Sequence, residues 1–226
     1  MRSLRIVCLG VAMAQLVLPL AAASADETAL KLGERGKLLL DQKFGDETAV
    51  DEKGLPKGWA QNTGRIELVD GALRIHEIKS EKHAAAVRYR LPVQDCAVQF
   101  DFRLGHTKFV HFSYDPAPNE LDKKGHLFSV AIKPDSWSLL EHNDKSKVES
   151  KQIVHATKPL QLEADKSYTA IIECRGDKVT AQIVGVSVLE GTAKDFHVKK
   201  PGLVFRVAGD ENAYAFLDNL RVWELK

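Results

Sequence analysis

Apolar and polar residues alternate along short segments through most of this chain, and turn-forming residues separate the segments. In residues 97–104, "AVQFDFRL", every second residue is apolar, and residues 109–115, 127–132 and 202–208 repeat the pattern. A period of two places the apolar side chains of a strand on one face and the polar ones on the other. About eleven or twelve such segments predict an all-β sandwich or barrel.

Two short connections favour hairpins between neighbouring strands. Asp70-Gly71 lies between apolar runs in "LVDGALRI", and Gly176-Asp177 has the same position in "ECRGDKVTAQI". Helical periodicity is nearly absent, and only residues 27–35 suggest a short helical turn, with a mobile tail as the alternative. Hairpin-connected strands pair antiparallel, so we predict antiparallel sheets with almost no helix.

The first 25 residues have the three parts of a secretory signal peptide. Arg2 and Arg5 precede the apolar residues 6–20, and Ala23-Ser24-Ala25 is a small-residue cleavage site. No later run is long and apolar enough to form a membrane-spanning helix. We therefore predict cleavage after Ala25 and a secreted or periplasmic protein.

The remaining 201 of the 226 residues suit one domain with a sizeable core. We assign residues 26–36 to an N-terminal tail and residues 37–226 to a single domain. With 32 basic and 31 acidic residues, the chain lacks the positive excess of a nucleic-acid-binding protein. The sequence leaves the oligomeric state open.

Two cysteines, Cys96 and Cys174, remain after the leader is removed, and each lies in a predicted strand. An exported protein often oxidises such a pair to a disulfide. Two small buried hydrophobic side chains are the alternative interpretation. Both alternatives stay open at this point.

Several motifs of well-known chemistry are missing from the sequence. It has no G-x-S-x-G, no H-E-x-x-H and no E-x-D-x-x-E strand. His106 and His111 are separated by an odd number of positions, which places them on opposite faces of a strand and disfavours a shared metal. The acidic residues 210–212 either bind calcium through oxygen ligands or form a plain turn. No cofactor is required by the sequence.

A set of polar residues lies on outward faces of neighbouring predicted strands. Hydroxyl-rich sugars suit such a set, because they both donate and accept hydrogen bonds. His111 and His126 are our candidate catalytic bases, and activity should then fall as the pH drops through about 6.5, the usual imidazole pKa. A merely solvated face is the alternative. The candidate substrate-binding residues are Asp101, Arg103, Ser113, His142 and Arg206.

Three further residues have two interpretations. Glu141 precedes His142, so an extended strand directs them to opposite faces, and only one of them reaches a shared cleft unless the strand has already ended. Trp59 and Trp137 either provide a platform for stacking a sugar or pack in the core, which is the commoner use of tryptophan.

The order of segments resembles the 3-keto-disaccharide hydrolase-like domain family, within the concanavalin A-like lectin/glucanase superfamily. The similarity covers residues 38–225 and includes "VDGALRI", "DFRL", "PGLVFRV" and the closing "AFLDNLRVWEL". It implies an antiparallel two-sheet sandwich of the jelly-roll type, with the first and last strands side by side and a concave face for glycan. It also implies that the strand of Arg206 belongs to the sheet of His111.

One departure from the family's pattern affects the expected chemistry. The strand that resembles the family's carboxylate-bearing strand has His126, Leu127 and Ser129 instead of an acid. Cleavage of a glycoside normally needs a paired acid and base. A 3-keto sugar is also open to elimination, for which one histidine base suffices.

These observations together predict an exported carbohydrate-active protein that binds a glycoside. Whether it also cleaves the glycoside stays open. A non-catalytic glycan-binding module and a structural β-sandwich module are the alternatives.

Overall fold

The computed structural model describes residues 28–45, 47–52, 54–118, 125–144, 152–210 and 213–226. The predicted signal peptide lies outside the described residues. Among those described, regular structure consists of strands and two short 3-10 helices, Lys79–Glu81 and Lys194–Phe196. The strands are β1 (Arg35–Gln42), β2 (Trp59–Thr63), β3 (Arg65–Val69), β4 (Ala72–His76), β5 (Ala85–Val93), β6 (Cys96–Gly105), β7 (Phe109–Tyr114), β8 (Phe128–Ile132), β9 (Ser136–Glu141), β10 (Ile153–Pro159), β11 (Tyr168–Arg175), β12 (Lys178–Ile183), β13 (Ser187–Thr192), β14 (Lys200–Ala208) and β15 (Tyr214–Leu225).

The strands form two antiparallel sheets, which confirms the predicted fold class. Sheet 1 has the order β13-β12-β11-β6-β15-β4-β3, and β1 pairs with the second half of β15. Sheet 2 has the order β10-β9-β8-β7-β14-β5-β2. The first and last strands are neighbours, with Asp41 opposite Arg221, as the resemblance implied.

The apolar faces of the two sheets pack against each other. The ring of Phe100 on β6 lies 5.8 Å from that of Phe112 on β7 and 5.1 Å from that of Phe205 on β14, measured between centroids. Trp59 and Trp137 are buried in this core, which decides against a sugar-stacking platform for either. The polar residues that alternate with these side chains therefore lie on the two outer faces of the sandwich.

Both predicted hairpins are present. Asp70 and Gly71 adopt φ of 50° and 74° between β3 and β4, the left-handed conformation that a tight two-residue hairpin turn requires. Gly176 has φ of 57°, and the strands that flank it end on the pair Arg175 and Lys178.

Three strands were not predicted from the sequence. β10 is mostly exposed and includes a proline, so it has no buried apolar face to produce alternation. β2, "WAQNT", is polar after its tryptophan, and β13 contains Gly191. β2 and β10 lie at the two edges of sheet 2, and β13 at an edge of sheet 1, where burial is lowest.

Residues 28–34 are non-helical and contact the outer face of sheet 1. The backbone amides of Lys31 and Leu32 donate to the carboxylate of Glu173 on β11, at 2.7–2.9 Å. Arg175 donates to the carbonyl of Leu32 at 2.7 Å. This part of the chain therefore occupies one of the two outer faces.

Cys96 and Cys174 lie directly opposite each other on β6 and β11. Both are buried free thiols in this structure, and the Sγ of Cys96 lies 3.1 Å from the hydroxyl of Tyr114. No helix in the described ranges has the length and apolar character needed to span a membrane.

Candidate functional site

The predicted site residues divide between the two outer faces. His111 and Ser113 lie on β7 and Arg206 lies on β14, all in sheet 2, whereas Asp101 and Arg103 lie on β6 of sheet 1. Because the core packs between β6 and β7, the two groups point in opposite directions. The prediction that they share one surface is therefore wrong for Asp101 and Arg103.

Asp101 and Arg103 make contacts within sheet 1. The carboxylate of Asp101 accepts hydrogen bonds from Thr169 at 2.6 Å and from the side-chain amide of Asn219 at 2.8 Å. The guanidinium of Arg103 lies 4.1 Å from the ring centroid of Phe216. Both residues line a pocket of about 250 Å³ on that face.

The other predicted residues converge on the outer face of sheet 2. β14, the strand of Arg206, belongs to the sheet of His111, as the resemblance implied. Arg206 lies opposite His111, and Ser113 lies opposite Ser129 on β8. We call the residues on this face the sheet-2 cluster. Its members are Arg88, His111, Ser113, Asp115, His126, Ser129, His142 and Arg206.

Asp115 connects a histidine and an arginine of the sheet-2 cluster. Its Oδ1 lies 2.6 Å from Nδ1 of His126, and its Oδ2 accepts a hydrogen bond from Nε of Arg88 at 2.8 Å. Burial raises the pKa of the Asp115 carboxyl, but the hydrogen bonds from His126 and Arg88 outweigh it and hold the pKa below its usual value. The ionised carboxylate accepts a hydrogen bond from the N–H at Nδ1, which leaves Nε2 of His126 as the basic nitrogen.

Ser129 connects Ser113 to His142. The two hydroxyl oxygens lie 2.7 Å apart, and Oγ of Ser129 lies 2.8 Å from Nε2 of His142. Both serine side chains are buried. The rings of His142 and His126 meet edge to face, with centroids 5.2 Å apart. Ser113 therefore lies beneath the histidines.

His111 differs from the other histidines of the sheet-2 cluster. Its ring stacks on Phe109 at 4.1 Å between centroids, and its buried Nδ1 has no hydrogen-bond partner. Burial, followed by the positive charges of Arg206 and the neighbouring histidines, lowers the pKa of His111 to about 3. The ring is therefore neutral at neutral pH, and its low pKa makes it a weak base. The expected fall in activity through about pH 6.5 does not follow from His111.

Glu141 faces away from the sheet-2 cluster. Its carboxylate is buried on the inner side of β9 and lies 2.9 Å from Nε2 of His155. His142, the next residue, reaches the outer face through Ser129. β9 ends at Glu141, and the two neighbours point to opposite sides of sheet 2, so His142 and not Glu141 belongs to the sheet-2 cluster.

A cleft of about 470 Å³ adjoins the Asp115–Arg88 pair. Volumes of this size are typical of small-molecule sites. Its lining residues are Gly58, Ala60, Arg88, Tyr89, Arg90, Asp115, Pro118, Pro201, Gly202, Leu203 and Val204.

Sequence reasoning missed three members of the sheet-2 cluster. Asp115 continues the alternation of His111 and Ser113, so the period of two already pointed to it. Arg88 and Ser129 are also outward-facing strand residues, but their contacts depend on which strands are neighbours. Asp115 directly follows β7. Its carboxylate is therefore next to β8, the strand on which the family resemblance predicts an acid.

The described ranges contain no group of three or more residues suited to hold a metal ion. Of the acidic segment that we considered for calcium, Asp210 is exposed and pairs with Lys108 at 3.2 Å. Residues 211 and 212 lie outside the described residues.

No protein-family model and no curated protein matches the chain, whereas many solved structures share its fold. A carbohydrate-binding module, CBM66 from Bacillus subtilis, has a TM-score of 0.58 at 13% identity, covering 74% of this chain and 96% of its own. LamA from Z. galactanivorans, solved with laminaritriose and laminaritetraose, has a TM-score of 0.60 at 11% identity, covering 84% and 100%. SCLam, a non-specific endo-β-1,3(4)-glucanase of family GH16, has a TM-score of 0.60 at 13% identity, covering 86% and 95%.

These similarities show the fold, an antiparallel jelly-roll β-sandwich. At such low identity they do not extend to activity. The resemblance to the 3-keto-disaccharide hydrolase-like family stays a prediction.

Proposed function

We propose that this protein binds carbohydrate on the outer face of sheet 2. The observation that carries the proposal is the sheet-2 cluster, in which Arg88, Asp115 and His126 are joined by hydrogen bonds at the edge of a cleft of about 470 Å³. Charged donors and acceptors fixed at one place suit the many hydroxyls of a sugar. Carbohydrate-binding modules and glucanases of the same fold support this proposal.

The other outer face is less suited to a ligand. Residues 28–34 contact it and fill the hydrogen-bonding capacity of Glu173. On the same face, each carboxylate oxygen of Asp101 already accepts one hydrogen bond, from Thr169 or from Asn219. We therefore assign binding to sheet 2 and remove Asp101 and Arg103 from the proposed contacts.

Calorimetric titration of the mature protein with a broad panel of oligosaccharides tests this proposal. Asp115→Asn breaks the pairs with His126 and Arg88, so we expect binding to weaken about tenfold or more. Asp101→Asn makes the same chemical change on the opposite face, and we expect unchanged affinity. Failure to bind any member of the panel contradicts the proposal, and loss of binding in Asp101→Asn alone shows that the face is wrong.

A second function, cleavage of a 3-keto glycoside, is favoured by the Asp115–His126 contact. A carboxylate on Nδ1 fixes the tautomer in which Nε2 accepts a proton, an arrangement known from histidine bases in enzymes. We assign the base to His126 rather than His111, because the pKa of His111 is about 3.

In the proposed reaction, the ketone at C3 acidifies the hydrogen at C2. Nε2 of His126 takes this proton, the electron pair of the C2–H bond forms a C1=C2 double bond, and the C1–O bond breaks. The leaving oxygen takes a proton from water and departs as an alcohol or a second sugar, and the hydroxide that remains takes the proton from His126, which restores the base. Addition of water across the double bond then gives the hydrolysis product. Arg206 brings positive charge to the same face, where an enolate would develop.

Product analysis with a 3-keto disaccharide tests this second function. We expect His126→Ala to abolish turnover and His106→Ala, at an exposed histidine beyond the site, to leave it unchanged. Binding of the 3-keto disaccharide without turnover in the unmodified protein contradicts cleavage and leaves the glycan-binding function.

A further inference from the structure

Two arginines of the sheet-2 cluster, Arg88 and Arg206, lie on the outer face of sheet 2. Asp115 brings a carboxylate to the same cluster. Each oxygen of that carboxylate is already engaged, one by Arg88 and the other by His126. Among the residues that the structure describes, no carboxylate therefore pairs with Arg206.

Arg206 is half-buried and makes no hydrogen bond or ion pair with any described residue. A guanidinium has five N–H donors, and on Arg206 none of them is engaged by a described residue, so they are available to the acceptor oxygens of a ligand. Burial, followed by the charge of Arg88, lowers the pKa of Arg206, and Asp115 acts in the opposite direction. The group nevertheless stays cationic at neutral pH.

His111 adds a second unpartnered polar group beside Arg206. The two residues are opposite each other on β7 and β14, and Nδ1 of His111 is buried without a hydrogen-bond partner. The neutral ring is able to donate one hydrogen bond. A charged fork and a neutral donor side by side match the several oxygen atoms of a single anionic group.

We propose that the ligand of the carbohydrate site is an acidic glycan, bearing a carboxylate or a sulfate ester, and that Arg206 binds the anionic group. This inference rests on the proposed carbohydrate-binding function. Both groups present oxygen atoms that accept two parallel hydrogen bonds from arginine. A neutral sugar would leave the charge of Arg206 uncompensated. Arg88 contributes less, because Asp115 already neutralises it.

Calorimetry with two matched pairs of oligosaccharides tests the inference. The first pair is a galacturonate trisaccharide and its methyl ester, and the second is a sulfated galactan tetrasaccharide and its desulfated form. We expect one acidic member to bind at least about tenfold more tightly than its neutral counterpart. Whichever acidic member binds identifies the source of the charge.

Two variants assign the effect to Arg206. We expect Arg206→Gln to lose the preference for the acidic member, and Arg206→Lys to retain part of it. Arg103→Gln removes an arginine from the opposite face and should change nothing. If Arg206→Gln fails to fold, the salt dependence of glycan affinity in the unmodified protein still tests the inference. Acidic binding should weaken between about 0.02 M and about 0.2 M NaCl, and neutral binding should not.

The possible failures are distinguishable. Equal binding of acidic and neutral members, unaffected by Arg206→Gln, overturns the acidic-glycan inference and leaves carbohydrate binding intact. Absence of binding to these four sugars and to the whole broader panel overturns the proposed function as well.

Discussion

Substitution of Glu173 by Gln should destabilise the protein more than any other single loss of charge on sheet 1. The carboxylate is fully buried, without a cationic partner in the described residues, and four donors converge on it. Lys31 and Leu32 donate backbone amides at 2.7–2.9 Å, and the side chains of Thr180 and Gln182 donate at 3.1 and 3.2 Å. The side chain thus holds residues 28–34 against β11 and β12.

The size of the effect follows from these contacts. A glutamine oxygen still accepts from the donors on one side, but its NH₂ group faces the N–H groups on the other. Leaving a hydrogen-bonding group buried and unmatched costs about 1–3 kcal/mol, and hydrogen bonds to a charged acceptor are stronger than average. We expect the free energy of unfolding to fall by about 3 kcal/mol, or the Tm by roughly 6–12 °C in a domain of this size.

Urea unfolding and calorimetry of Glu173→Gln and Glu190→Gln provide the comparison. Glu190 is exposed on β13, directly opposite Thr180. Glu190→Gln should therefore change the free energy of unfolding by no more than about 0.5 kcal/mol. Removal of residues 28–32 should lower the free energy of unfolding less in Glu173→Gln than in the unmodified protein, because the deletion and the substitution remove the same contacts. Equal stabilities of the two glutamine variants would refute the anchoring role of Glu173. Glycan affinity should be the same in both, since both sites lie away from sheet 2.

Two further predictions concern contacts of charged groups, and a third concerns export. Asp115→Asn should lower the free energy of unfolding at neutral pH, and its difference from the unmodified protein should shrink as the pH falls below about 4. A carboxyl with a lowered pKa contributes stability above its unfolded pKa and loses this contribution on protonation. A pH-independent difference in urea unfolding would contradict this. Lys200→Met should lower the free energy of unfolding by about 2–4 kcal/mol, because the buried ammonium donates to the carbonyls of Gln94, Phe196 and Val198 at 2.9–3.0 Å. Lys199→Met, at the exposed neighbour, should leave the free energy of unfolding nearly unchanged in the same assay. Asp26 should be the first residue of the exported protein, and N-terminal sequencing that finds an intact leader would refute the predicted export.

The core strands were predictable because burial produces a regular pattern. Each strand near the middle of a sheet, such as β6 or β14, has one face in the core, and its sequence alternates accordingly. β10 has no such face and gave no signal. The anchoring of residues 28–34 was also unpredictable, since their backbone amides contact Glu173 about 140 positions away.

The candidate site was predictable only in part, for a related reason. Alternation separates inner from outer residues but does not say which sheet a strand joins. His111 and Asp101 look equivalent in the sequence, and only the order of strands shows that they lie on opposite faces. The contact of Asp115 with Arg88 links residues 27 positions apart and likewise depends on that order.

Hydrogen–deuterium exchange with and without a bound oligosaccharide tests the central claim, that the ligand binds the outer face of sheet 2. A bound ligand should slow exchange in residues 86–90, 111–115, 126–129 and 203–207. It should leave residues 99–103 and 169–173 of sheet 1 unchanged. Protection confined to the sheet 1 segments would contradict the account.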